Sequence, residues 1–148
     1  MFGEFQSLVN VEILLKREGK IIDRRELHNV ATTAGKQHIA DQLASTHDEA
    51  EMSHMAIGTG SDAGADPTAL TTELSRKTLD SRDQLSGADA NKVEYKATWA
   101  AGEGTGAITE AGIFNAASGG TLLCYAYFPA INKGANDELV ITWTVSIT

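Results

Sequence analysis

Residues 138–148 alternate apolar and polar side chains along their whole length. Leu139, Ile141, Trp143, Val145 and Ile147 fall on one face, and Val140, Thr142, Thr144, Ser146 and Thr148 on the other. A period of two marks a strand with one buried face. Residues 92–99 repeat the pattern, with Val93, Tyr95, Ala97 and Trp99 opposed to Lys92, Glu94, Lys96 and Thr98. Each strand places one tryptophan on its apolar face, so Trp99 and Trp143 are the predicted core anchors.

The rest of the chain is read in shorter pieces. Leu8 to Leu15 is apolar and β-rich, 16–20 reads as a turn around Gly19, and 20–29 as a returning strand, which together predict a hairpin. Thr33 precedes the one helix candidate, 34–44, whose face at i, i+4 spacing is Ile39, Ala40, Leu43 and Ala44. A buried strand is expected over 52–57, a loop over 58–67, a helical turn over 67–74 and an extended segment over 76–85. Residues 107–115 form a further strand with a bulge at Gly112, Ser118-Gly119-Gly120 a hairpin turn, and 121–128 a strand stopped by Pro129. Asn132-Lys133-Gly134 turns the chain into the final strand. Short connections make these strands antiparallel. The predicted fold is mainly β: an antiparallel β-sandwich or jelly-roll-like barrel with one short helix.

Charge divides the chain. The 148 residues carry 12 basic and 20 acidic groups, a net of −8. Residues 1–30 hold five of each sign and are neutral, so the whole excess lies in 31–148. Residues 1–30 are therefore set apart as an N-terminal hairpin or arm, and 31–148 as the β-sandwich domain. An acidic surface disfavours nucleic acid and an anionic membrane as partners. No apolar run reaches the length of a membrane span. Met1 to Phe5 lacks the charged and apolar regions of a signal peptide. The single cysteine, Cys124, allows no intrachain disulfide, which fits a chain kept in a reducing compartment until assembly.

Candidate chemistry is thin. His47, His54 and the carboxylates between them match no metal-ligand spacing. Gly58-Thr59-Gly60 follows a strand but lacks the lysine of a phosphate loop. Glu103 and Glu110 could be imagined as a glycosidase-like acid/base pair, yet nothing around them raises a carboxyl pKa or stacks on a sugar. Cys124 sits among apolar and aromatic neighbours and reads as an inert buried thiol. No cofactor, no metal and no catalytic residue is assigned, and the expectation is a non-enzymatic domain.

Three stretches are similar to small β-rich structural proteins of bacteriophage virions. They are Met55 to Gly60 with the small-residue loop that follows it, Ala97 to Asn115, and Ser118 to Val145 with its Phe128-Pro129 and Asn132-Lys133-Gly134 steps. The helix at Thr33 to Ala40 also fits. The resemblance implies a virion component, assembled in the host cytoplasm, of head-decoration, tail-fibre or baseplate type, and it implies no catalytic residue. The short length points first to a capsid decoration (cement) protein stabilising the head shell. Its partners would then be itself, as a homotrimer, and the major capsid protein. The alternative is a tail-fibre, collar or baseplate protein that contacts other tail proteins. Strand signal to Thr148 suits a complete small subunit. In either location the work is binding, and Val9, Val11, Ile13, Ile21 and Ile22 are the candidate assembly contacts, the alternative being that they face the domain's own core. Deleting 1–28 is expected to leave a folded domain that no longer assembles.

Overall fold

The structure, a computed structural model, describes residues 7–148. Met1 to Phe5, on which the expectation of no signal peptide rests, lies outside the described residues. Along the chain run β1 (Ser7–Arg17), β2 (Lys20–Val30), α1 (Thr33–Leu43), β3 (His54–Gly58), β4 (Glu73–Thr78), β5 (Ser81–Gln84), β6 (Lys92–Trp99), β7 (Gly106–Phe114), β8 (Leu122–Lys133) and β9 (Glu138–Ile147). Two antiparallel sheets face each other. One has the order β2-β1-β9-β6-β5 and the other β4-β3-β7-β8. The chain is mainly β, a sandwich with one helix.

The core lies between the sheets, and the alternation read from sequence builds most of it. Leu139, Ile141, Trp143 and Val145 of β9 and Ala97 and Trp99 of β6 point inward, and both tryptophans are completely buried. β1 adds Val9, Val11, Ile13 and Leu15, all buried. It can do so because it is an interior strand, bonded to β2 on one side and to β9 on the other. Removing residues 1–28 would therefore strip four core side chains, each contributing about 1.5–3 kcal/mol of burial, and expose the ladder of β9. The expectation that the remainder folds alone is corrected on that ground.

Several local readings also change. The N-cap is Thr32, not Thr33; its hydroxyl accepts from Gly35 N at 2.9 Å and donates to Leu122 O at 2.6 Å. The buried side of α1 is Gly35 and His38, while Ala40, Leu43 and Ala44 are exposed. Gly35 sets this orientation, because a Cβ there would lie 2.1 Å from Leu123 O of β8. Pro129 does not stop β8. The strand continues to Lys133 past a register shift opposite Ile108 and Glu110, where a missing N–H is tolerated at a sheet edge. The β7–β8 pairing shifts there and at Ile113/Phe114, with the extra residues on β8 each time, and not at Gly112. Residues 67–72 are bends without a helical turn. The 59–72 loop lies on the outer face of the four-stranded sheet, where Leu70 packs with Ala56, Phe114, Leu122 and Tyr125.

Candidate functional site

The β1–β2 hairpin ends in a two-residue turn with Glu18 at φ 52° and Gly19 at φ 77°. Both central residues in the left-handed region make the turn that matches the twist of paired strands. A register shift follows at once. Lys16 faces Ile21 and Leu15 faces Asp23, so Ile22 is the extra residue of a bulge. The outcome is a strand start that carries two exposed isoleucines, Ile21 at 54% and Ile22 at 46%, between exposed Lys20 and Arg24.

β2 is an edge strand, and its two halves are treated differently. The far half is tied across to the edge of β8. Arg25 donates to Pro129 O at 3.0 Å, Asn29 to Tyr125 O at 2.6 Å, and just beyond it Thr32 N to Leu123 O at 3.1 Å. Between Lys20 and Arg24, among the described residues, no such bond reaches a third strand. Arg24 pairs back with Glu12 of β1 at 2.7 Å, and Asp23 with Arg25 at 2.9 Å. The hairpin tip is nevertheless held firmly. Arg17 donates twice to Asp137, at 2.9 and 3.0 Å, and Gly134 N donates to the same carboxylate at 2.8 Å. The Arg17 guanidinium, with help from Gly134 N, pulls the Asp137 carboxyl down to about 2. The tip is thus a rigid, partly apolar strand edge of the kind that accepts another strand.

Of the five candidate assembly contacts, the structure brings only Ile21 and Ile22 to this surface. Val9, Val11 and Ile13 face the chain's own core, since odd-numbered positions of an interior strand all point between the sheets. They are not available to a neighbour in the folded chain.

The acid/base candidates are not brought together. Glu103 is exposed, pairs with Lys77 at 3.0 Å and accepts from Ala100 N, and the Lys77 ammonium lowers its pKa. Glu110 is fully buried on the outer face of β7 beneath the 59–72 loop. It accepts from Gly60 N at 3.0 Å, Thr71 N at 2.8 Å, Thr72 N at 2.8 Å and the Tyr125 hydroxyl at 2.8 Å. Four donors leave that carboxylate committed to fixing the loop. The same contact explains Gly58-Thr59-Gly60: a Cβ on Gly58 or Gly60 would come within 2.5 or 2.7 Å of Glu110 Oε2. Gly60 N therefore serves a carboxylate of the chain itself, not a phosphate.

Cys124 is fully buried, and burial pushes its thiol up, away from the nucleophilic form. Among the described residues no group of three or more histidine, cysteine or acidic side chains is placed to hold a metal ion. No described helix is long and apolar enough to cross a membrane. Sequence reasoning missed two roles, the Glu110 latch and the Arg17–Asp137 brace. A lone carboxylate inside the otherwise uncharged run 104–116 was the available signal for the first. The second joins residues 120 apart in the chain and left no local signal.

The family model that matches the chain is described as phage tail-collar fibre protein, N-terminal, and it matches residues 24–147. No curated protein and no solved structure matches. The matched segment takes in the second half of β2 and every later element of the sandwich. The chain belongs to this family and is a structural component of the phage virion.

Proposed function

We propose that this member of the tail-collar fibre family works in the phage tail as a non-enzymatic assembly module, bound to copies of itself and to other tail proteins. The observation that carries the proposal is the family match, which spans 124 of the 148 residues, from 24 to 147. Length alone favours the head shell and the major capsid protein as partner. The family match favours the tail.

The geometry supports a mechanism of strand addition. The first half of β2 offers an unpaired edge, two exposed isoleucines and flanking Lys20 and Arg24. A neighbouring extended segment would gain main-chain hydrogen bonds along this edge, and Ile21 and Ile22 would supply apolar anchoring. The Arg17–Asp137 brace holds the edge in place beforehand, which lowers the ordering entropy lost on binding. Repetition of the contact around an oligomer would multiply modest single affinities. Glu103 and Glu110 hold loops through backbone amides, in keeping with a binding role.

The test is the location of the protein in the particle. Antibody-gold labelling of intact virions should decorate the tail. Label distributed over the head shell would overturn the proposal and restore the decoration reading.

A further inference from the structure

At the end of the sandwich away from the hairpin tip lies an apolar groove of about 410 Å³. Ile39 and Leu43 of α1, Tyr95 of β6, and Val145 and Ile147 of β9 line it. Leu43, at the last turn of α1, is 80% exposed, the most exposed large apolar side chain among the described residues. The exposed isoleucines of the hairpin lie at the other end of the molecule. Ser7 pairs with Ile147 at one end of β1, and Lys16 with Glu138 and Ile21 at the other. Those ends are about 30 Å apart at the strand rise, so a chain cannot bring Ile21 and Ile22 into its own groove.

The two surfaces also carry opposite charge. Residues 16–24 hold Lys16, Arg17, Lys20 and Arg24 against Glu18 and Asp23, a net of +2. Residues 41–51, which give the groove Leu43 and Glu51, hold Asp41, Asp48, Glu49 and Glu51 and no lysine or arginine. Some of these charges are matched within the chain, as Glu51 is by Arg82 and Arg24 by Glu12. Lys20 on one surface and Asp48 on the other are exposed and have no ion-pair partner among the described residues. An apolar edge beside an unpaired cation therefore faces, on another copy, an apolar groove beside an unpaired anion.

We propose that the groove takes Ile21 and Ile22 of a second copy of this chain, head to tail, with Lys20 set against Asp48. This rests on the reading of the β2 edge as an assembly surface and names its partner. The two surfaces differ, so the contact is heterologous: each copy keeps one free edge and one free groove until a ring closes or a row of copies ends.

Single cysteines test it. Ile22 and Leu43 are exposed, so Ile22→Cys and Leu43→Cys are compatible with folding, and the natural Cys124 is fully buried. The two full-length variants are mixed in equal amounts and treated with a short bis-maleimide, which does not need the narrow geometry of a disulfide. The mixture should give a cross-linked pair on a denaturing gel, and each variant alone should give none. A pair from Leu43→Cys alone would mean groove against groove, and a pair from Ile22→Cys alone edge against edge. No pair in any sample would mean that something other than a second copy covers the groove. Each of these three results overturns the proposal. Adding Lys20→Glu to the Ile22→Cys chain should lower the yield several-fold, and Asp48→Lys in the Leu43→Cys chain should restore it; a yield indifferent to both would contradict the charge pairing. Failure here is separable from failure of the edge reading. With no cross-link but an Ile21→Asp, Ile22→Asp chain still lost from virions, the edge serves another tail protein and only this inference falls; with no cross-link and normal incorporation of that chain, both fall.

Discussion

Tyr125 and Glu110, on neighbouring strands of the four-stranded sheet, are joined by a hydrogen bond of 2.8 Å from phenol to carboxylate. Burial and this bond hold the Tyr125 hydroxyl well above the ordinary phenol range, so it remains a donor. Tyr125 also accepts from Ala63 N at 3.1 Å, and together the two side chains anchor the 59–72 loop at four backbone amides. Tyr125→Phe should destabilise the fold by about 1.5–3 kcal/mol, the net worth of a hydrogen bond to a charged group. Glu110→Ala should cost more, about 3 kcal/mol or above, because it leaves several amides without a partner. Urea unfolding measures both. Amide exchange should localise the added lability to 59–72, and a uniform loss of protection would contradict the latch.

Gly35 sets intrinsic propensity against packing. Alanine is the better helix former by about 1 kcal/mol, so Gly35→Ala on a free helix would be stabilising. Here the new Cβ would meet Leu123 O at 2.1 Å, a backbone atom that cannot move aside. The expected result is net destabilisation of about 1–3 kcal/mol, read as a lower midpoint in urea. A raised midpoint would show that α1 does not lie this close to β8.

The two core tryptophans should respond unequally to truncation. Trp99 Nε1 donates to Ser75 Oγ at 3.0 Å, whereas Trp143 Nε1 is buried with no hydrogen-bond partner among the described residues. Both lose comparable volume on replacement by phenylalanine. Trp143→Phe removes an unsatisfied donor and Trp99→Phe a satisfied one, so Trp99→Phe should be the more destabilising by about 1 kcal/mol. Thermal unfolding of the two variants checks the order.

Acid should weaken the hairpin tip. The Asp137 carboxyl titrates at about 2 in the folded chain against an ordinary 3.8. A depressed folded value means the ionised form stabilises the fold above the unfolded pKa, and that this contribution disappears as pH falls through the folded one. The difference in Tm between wild type and Asp137→Asn should thus be constant near neutrality and shrink between about pH 4 and pH 2. A difference that persists unchanged at pH 2 would contradict the brace.

Much of the fold was legible because period-two alternation is a local property of strands. β6 and β9 turn their alternating apolar faces to the core, although Val140 and Ser146 of the opposite face of β9 are buried as well, and the hairpin follows from its turn chemistry. What escaped was set by contacts distant in sequence. The apolar spacing of Ile39, Ala40, Leu43 and Ala44 named one helix face, yet a close approach to Leu123 put Gly35 inward instead. Sequence leaves Val9, Val11 and Ile13 open between a core and a docking role, and β9, more than 120 residues later, decides for the core by pairing with the other side of β1. Within the candidate site, Ile21 and Ile22 were visible as apolar residues beside a turn. That they are exposed depends on the bulge at Leu15/Lys16 and on β2 lying at the sheet edge, and neither is encoded in a short window.

The measurement that bears most directly on the assembly role is incorporation of an edge variant into particles. Ile21→Asp combined with Ile22→Asp alters two exposed side chains and leaves the core intact, so the purified variant should unfold at the wild-type midpoint. Supplied during infection in place of the wild-type chain, it should appear in purified virions at about one-tenth of normal occupancy or less, a loss equivalent to ~1.4 kcal/mol or more of binding. A correctly folded double variant that joins the tail at wild-type occupancy would contradict docking through the β2 edge.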